Sequence, residues 1–106
     1  MDFGLREIEQ DKVDFDTPGF HWRSHGRSST IYFVENESVV IIYGEMSGVS
    51  HLDILVYGET VHLNKRYYPK VNRSENISIE DRFKIQRLLV EWLEMKGLRH
   101  DIQIGK

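Results

Sequence analysis

The sequence predicts an α+β domain: an antiparallel β-meander of four to six strands, one long C-terminal helix packed across one face, and a short final strand. Three observations predict it. β-Branched and aromatic residues crowd residues 29–57, broken by short polar turns. The stretch ISIEDRFKIQRLLVEWLEMKG (77–97) carries both helix-start and helix-stop signals. After it, LRHDIQI (98–104) alternates apolar and polar residues as a strand does. At 106 residues, with 40% hydrophobic and 29% charged residues, the chain fits one folded domain with one core.

Residues 1–16 carry Asp2, Glu7, Glu9, Asp11, Asp14 and Asp16 against Arg6 and Lys12. Six acids against two bases give −4, which leaves +1 for the rest of a chain whose net charge is −3. This segment reads as an acidic, loosely ordered leader to a single domain over 17–106. It has neither the basic region nor the apolar stretch of a signal peptide. No run approaches the ~20 apolar residues that span a bilayer. With no cysteine, disulfides and thiolate metal sites are excluded, which fits a reducing cytoplasm. In that compartment the sequons at Asn36, Asn72 and Asn76 carry no meaning.

Past Thr17-Pro18-Gly19, His21-Trp22-Arg23 begins a strand that turns at SHGRSS (24–29). STIYFVE (29–35) and SVVIIYGEM (38–46) follow, joined by a two-residue Asn36-Glu37 hairpin turn. LDILVYG (52–58) and TVHLN (60–64) extend the meander through Gly58-Glu59. Residues 66–76, with Pro69 and several basic residues, read as the loop crossing to the helix. The helix should run over 79–96, with Ser78 as N-cap, Glu80 and Asp81 at the positive end of the macrodipole, and Gly97 as the left-handed stop.

Apolar surface is in surplus. On a helical wheel Glu80, Lys84, Arg87, Glu91 and Glu94 form one narrow polar stripe. Ile85, Leu89, Trp92 and Leu93 lie opposite, and Ile79, Phe83 and Val90 widen the apolar arc on one flank while Leu88 and Met95 widen it on the other. The strands 31–34, 39–43 and 54–57 are apolar on both faces, where a half-solvated sheet would alternate. One helix covers one face. The other requires the N-terminal segment (Phe3, Leu5, Ile8, Val13, Phe15), a second copy of the chain, or another protein. A homodimer through the open sheet face or through Ile79, Phe83 and Val90 is therefore expected.

Sequence chemistry points to binding rather than catalysis. His21 and His25 do not make a zinc site, which needs three or four convergent ligands. Ser47, Ser50, His51 and Asp53 are near one another but lack the strained elbow and oxyanion donors of acyl transfer. No glycine-rich phosphate loop occurs and no cofactor is expected. A nearly neutral body argues against nucleic acid as partner. The basic, aromatic stretch NKRYYPKVNR (64–73) nevertheless has the residue types that stack bases, and with His21 and His25 it keeps a small RNA-binding or hydrolytic domain as an alternative. Tyr and Arg also anchor protein interfaces. The partner-binding candidates are Arg66, Tyr67, Tyr68 and Lys70, with His21, Trp22 and Arg23 as a second grouping. A crossover loop free of core duties would let Tyr67→Ala with Tyr68→Ala leave the thermal midpoint unchanged.

Taken together, Trp22, the Gly26-Arg27-Ser28 turn, the strand ending in Glu45-Met46, DILVY, the capped ISIEDRFKIQRLLVEWLEMKG helix and the closing HDIQI resemble the immunity protein 74 group of bacterial polymorphic-toxin immunity proteins. The resemblance covers residues 18–104. It implies a cytoplasmic, non-enzymatic protein that binds and blocks one cognate toxin domain. A homodimeric interaction domain of another cellular role is the alternative.

Overall fold

The computed structural model describes residues 3–26, 28–46, 53–57 and 63–103. Helix α1 spans Phe3–Gln10, followed by strands β1 (Gly19–His25), β2 (Ser28–Glu35), β3 (Ser38–Met46), β4 (Ile54–Tyr57), β5 (Lys65–Tyr68) and β6 (Arg73–Asn76). Helix α2 (Ile79–Met95) and strand β7 (His100–Gln103) complete the chain, and a 3-10 turn at Pro69–Val71 separates β5 from β6. The α+β meander with a C-terminal helix is present as the sequence predicts. The turn Asn36-Glu37 has φ values of 51° and 60°, the doubly left-handed geometry whose twist suits a two-residue hairpin.

Seven strands form one sheet, six of them before α2 and the short final strand after it. Its main path runs β1-β2-β3-β4-β7, all antiparallel except the β4–β7 pair, which is parallel because α2 carries the chain back across the sheet. Residues 66–76 are not a crossover loop. They form a β5–β6 hairpin that pairs with β3 at Val39 and Val40, beyond the end of β4. The 60–64 strand falls largely outside the described residues, and Leu63 and Asn64 are not strand.

Register settles which side chains share a face. Ile31, Phe33, Val40, Ile42, Ile54 and Val56 form one buried layer with Ile85, Leu89 and Leu93 of α2. The alternate residues Tyr32, Val34, Val39 and Ile41 form a second buried layer with Leu5, Ile8 and Val13. The acidic leader is thus corrected: residues 3–13 fold as a helix and its exit, and they cover the second sheet face. This cover is why strands that are apolar on both parities are stable within one chain.

Both helices stop in the same way. Gly97 (φ 72°) donates to Glu94 O while Leu98 N–H donates to Leu93 O; Lys12 (φ 52°) donates to Glu9 O while Val13 N–H donates to Ile8 O. These are Schellman closures. At its start α2 is capped by Ser78 Oγ, which accepts from Asp81 N–H at 3.1 Å.

The wide apolar arc of α2 is not all covered. The buried stripe is Arg82, Ile85, Gln86, Leu89 and Leu93, so two polar residues take places that the apolar flanks do not. Ile79 stays 60% exposed and Phe83 46% exposed. Trp92 is half-buried, in an aromatic seam with Phe20 (centroids 5.4 Å) and Trp22 (6.2 Å). Among the described residues no helix is long and apolar enough to cross a membrane.

Candidate functional site

Eight residues of helix are marginal in isolation, so α1 needs anchors on the sheet, and its polar face supplies them. Glu7 and Asp11 are one turn apart and both reach the sheet. Tyr32 donates to Asp11 Oδ2 and to the Glu7 carbonyl. Tyr43 donates to the Glu7 carboxylate at 3.2 Å. His25 Nε2 lies 3.1 Å from Asp11 Oδ2. Burial pushes the Glu7 carboxyl above its ordinary range; the Tyr43 hydrogen bond opposes the shift and Asp11 adds to it. Burial, reinforced by the bond to Asp11, likewise raises the Tyr32 phenol, which stays protonated and keeps donating.

Where α1 stops short of covering the sheet, an open cleft of about 560 Å³ remains beside these anchors. Glu7, Gln10 and Asp11 form its helical wall, His25 and Ser28 its rim at the β1–β2 turn, and Thr30, Tyr43, Glu45 and Tyr57 its floor. Tyr43 and Tyr57 are register partners, which sets two phenols side by side, and Thr30 is the register partner of Tyr43 on the other side. Tyr57 donates to Glu45 Oε1. Sequence reasoning missed this cleft. Its signal was Tyr32 and Tyr43 on the strand parity that α2 does not cover, but their partners, Asp11 and Glu7, lie in the segment that read as a leader.

The sequence-derived candidates are placed elsewhere and have structural duties. Arg66 donates to Ser38 Oγ at 3.0 Å and lies 3.8 Å from Glu35 and 3.9 Å from Asp81, tying the β2–β3 turn to the start of α2. Tyr67 packs against the α1-side core, and its ring occupies the space a Cβ on Gly4 would need. Tyr68 donates to Glu75 at 2.6 Å, which raises its phenol, and Arg73 stacks over its ring at 4.8 Å. Lys70 pairs with Glu37 (2.8 Å) and Asp16 (3.3 Å). The idea of a loop free of core duties is corrected accordingly.

In the second grouping, His21 Nε2 is 2.8 Å from Thr17 O, Trp22 belongs to the aromatic seam, and Arg23 donates to the Asp11 and Trp22 carbonyls. His25 aligns with Ser28 and Glu45 at one end of the strands, whereas Tyr67 aligns with Val39 at the other. Six residue steps separate these ends, about 20 Å. The histidines and the 64–73 stretch therefore do not build one site. Ser47, Ser50 and His51 lie outside the described residues, and Asp53 clamps the α2–β7 connection through Arg99, whose guanidinium (3.0 Å) and backbone N–H (2.8 Å) hold its carboxyl below the usual range. Among the described residues no group of three or more His, Asp or Glu is arranged to hold a metal.

Compared with protein families, curated proteins and solved structures, the chain matches none.

Proposed function

We propose that this chain is a non-enzymatic binding protein of the immunity type, which occludes a cognate bacterial toxin domain in the cytoplasm, and that the cleft beside α1 is its recognition surface. The observation that carries the reading is the cleft's construction. Its hydroxyls and carboxylates are held by one another, Tyr43 on Glu7 and Tyr57 on Glu45. Groups fixed before a partner arrives lose little freedom on binding, which favours affinity and selectivity. Tyrosine-rich, partly polar concavities are also where protein interfaces place their anchors. The resemblance of residues 18–104 to immunity proteins supports the same reading. Acid–base chemistry is disfavoured because Glu7, Asp11 and His25 are the groups that seat α1; using them for proton transfer would loosen the wall of the site.

Co-expression with the toxin domain encoded beside this chain tests the proposal. A stable 1:1 complex and restored growth are expected, and failure of the two proteins to associate would refute it.

A homodimer is the second reading, favoured by the exposure of Ile79 and Phe83 one turn apart on α2, with Val90 half-buried on the same flank. Stable interfaces bury on the order of 800 Å² per partner, so neighbouring surface must join them. Sedimentation at micromolar concentration distinguishes the states: a dimer lost in Phe83→Glu supports this reading, and a wild-type monomer ends it.

A further inference from the structure

We infer that α1 is a pH-operated strap: it is seated on the sheet in mildly acidic solution, and as pH rises past neutrality it lifts locally and uncovers the second apolar layer. The inference concerns the fold alone and holds whatever occupies the cleft.

The seat of α1 is a cluster of titratable groups contributed by four elements. Glu7 and Asp11, one turn apart on α1, meet His25 of β1, Tyr32 of β2 and Tyr43 of β3. Asp11 accepts from Tyr32 and lies 3.1 Å from His25 Nε2, whereas Glu7 accepts from Tyr43 at 3.2 Å. The other charged groups on this face do not relieve the two acids. Arg23 donates to the backbone carbonyls of Asp11 and Trp22, and His21 is engaged with Thr17 O. Glu45 of β3, which accepts from Tyr57 of β4, brings a further carboxylate to the same concavity. Arg6, Glu9 and Lys12 line a separate hollow along α1.

Two groups of the seat change charge in the same sense. An imidazole is charged only when protonated, and imidazoles exchange that proton between about pH 5 and 8. The His25–Asp11 contact is therefore an ion pair in mild acid and loses its charge as pH rises. Burial pushes the Glu7 carboxyl above its ordinary range, with the Tyr43 bond opposing the shift and Asp11 adding to it. A raised value in the fold means that Glu7 favours seating fully at low pH, a contribution lost as pH rises through that value. Once ionised, Glu7 repels Asp11 four residues on, and like charges at that spacing destabilise a helix. Rising pH thus removes an attraction and adds a repulsion on one short helix.

Little else compensates. α1 has eight residues and no acid in its first turn, and it stops at Lys12 with φ 52°, where a residue other than glycine is strained. The sheet keeps its other face on Ile85, Leu89 and Leu93 of α2, so α1 can open without global unfolding. What it uncovers is Tyr32, Val34, Val39 and Ile41.

The test is hydrogen exchange of the full chain, read by mass spectrometry at about pH 6 and pH 8.5, on either side of the imidazole range, with each rate divided by the intrinsic rate at that pH. Protection of residues 3–13 should fall about fivefold between the two, the size expected of one ion pair and one like-charge pair. Protection of α2 over 79–95 should stay constant. His25→Gln should lower the protection of 3–13 in acid toward its alkaline value, Glu7→Gln should raise it in alkali, and the double change should leave it independent of pH. Equal protection of 3–13 at both pH values in wild type overturns the inference. So does a fall in α2 as large as that in 3–13, or a wild-type fall that neither single change diminishes.

Discussion

The two faces of the sheet are covered by helices that differ in almost every respect. α2 has 17 residues, a serine cap, acidic residues in its first turn and a glycine stop, and it buries Ile85, Leu89 and Leu93 on an apolar layer. α1 has eight residues, no acid in its first turn and a lysine stop, and its apolar contacts are supplemented by Tyr32, Tyr43 and His25 acting on Glu7 and Asp11. One face is a mainly apolar layer, with Arg82 and Gln86 among its buried residues; the other joins a second apolar layer to hydrogen bonds and a charged pair and is partly open. On the proposed function this difference is that between a scaffold and a binding surface, because recognition needs accessible polar groups that a close-packed core excludes.

The largest expected effect comes from the face that α2 covers. Leu89→Ala leaves a cavity at a fully buried position and should cost about 2–5 kcal/mol, read as global loss of stability in urea. A cost under about 1 kcal/mol would show that α2 is not the main support.

On the other face, Gly4→Val sets a side chain against the Tyr67 ring and should cost about 1–3 kcal/mol. Its signature is selective, with amide exchange accelerating in residues 3–13 before the remainder opens. Tyr67→Ala acts in the same direction, so the Tyr67, Tyr68 double change should lower the thermal midpoint rather than preserve it. An unchanged midpoint would mean α1 is not seated on Tyr67.

Lys12→Gly should strengthen α1 by up to about 1 kcal/mol, since φ 52° suits glycine better than lysine. The change makes the α1 stop like that of α2 and should slow exchange in 3–10 alone. Slower exchange in α2 as well would contradict the separation of the two faces.

Smallest is the effect of Glu7→Gln. Burial raises the Glu7 carboxyl in the fold, so its favourable contribution is complete at pH below the unfolded value and is lost as pH rises through the folded value. At pH 7 the amide should therefore be at least as stable as wild type, and the loss of stability between mildly acidic and neutral pH should flatten. A steeper pH dependence in the variant would reverse the assignment.

How much of this was legible in the sequence follows the same division. The α2 side was open to reading because its signals are local: Ser78, the apolar spacing of Ile85, Leu89 and Leu93, and Gly97 all act within one element. The hairpin at Asn36-Glu37 was legible for the same reason. The α1 side was not, because a charged eight-residue segment becomes a helix only through contacts with Tyr32, Tyr43 and Tyr67, between 25 and more than 60 residues away. β5 was missed because Pro69 and Arg66 signal a loop, while the strand exists through pairing with Val39 and Val40 at the exposed end of β3. Arg66 and Tyr67 looked like interface anchors since residue type alone does not distinguish a side chain that holds a hairpin from one that holds a partner. The cleft was invisible because half of it is built by the segment that read as unstructured.

The most direct test of the division between scaffold and working surface is hydrogen exchange with and without the toxin domain encoded beside this chain. The account predicts that binding protects residues 5–11, 25–30 and 43–45 around the cleft and leaves α2 over 79–95 unchanged. Protection centred on 79–90 with the cleft unaffected would contradict it.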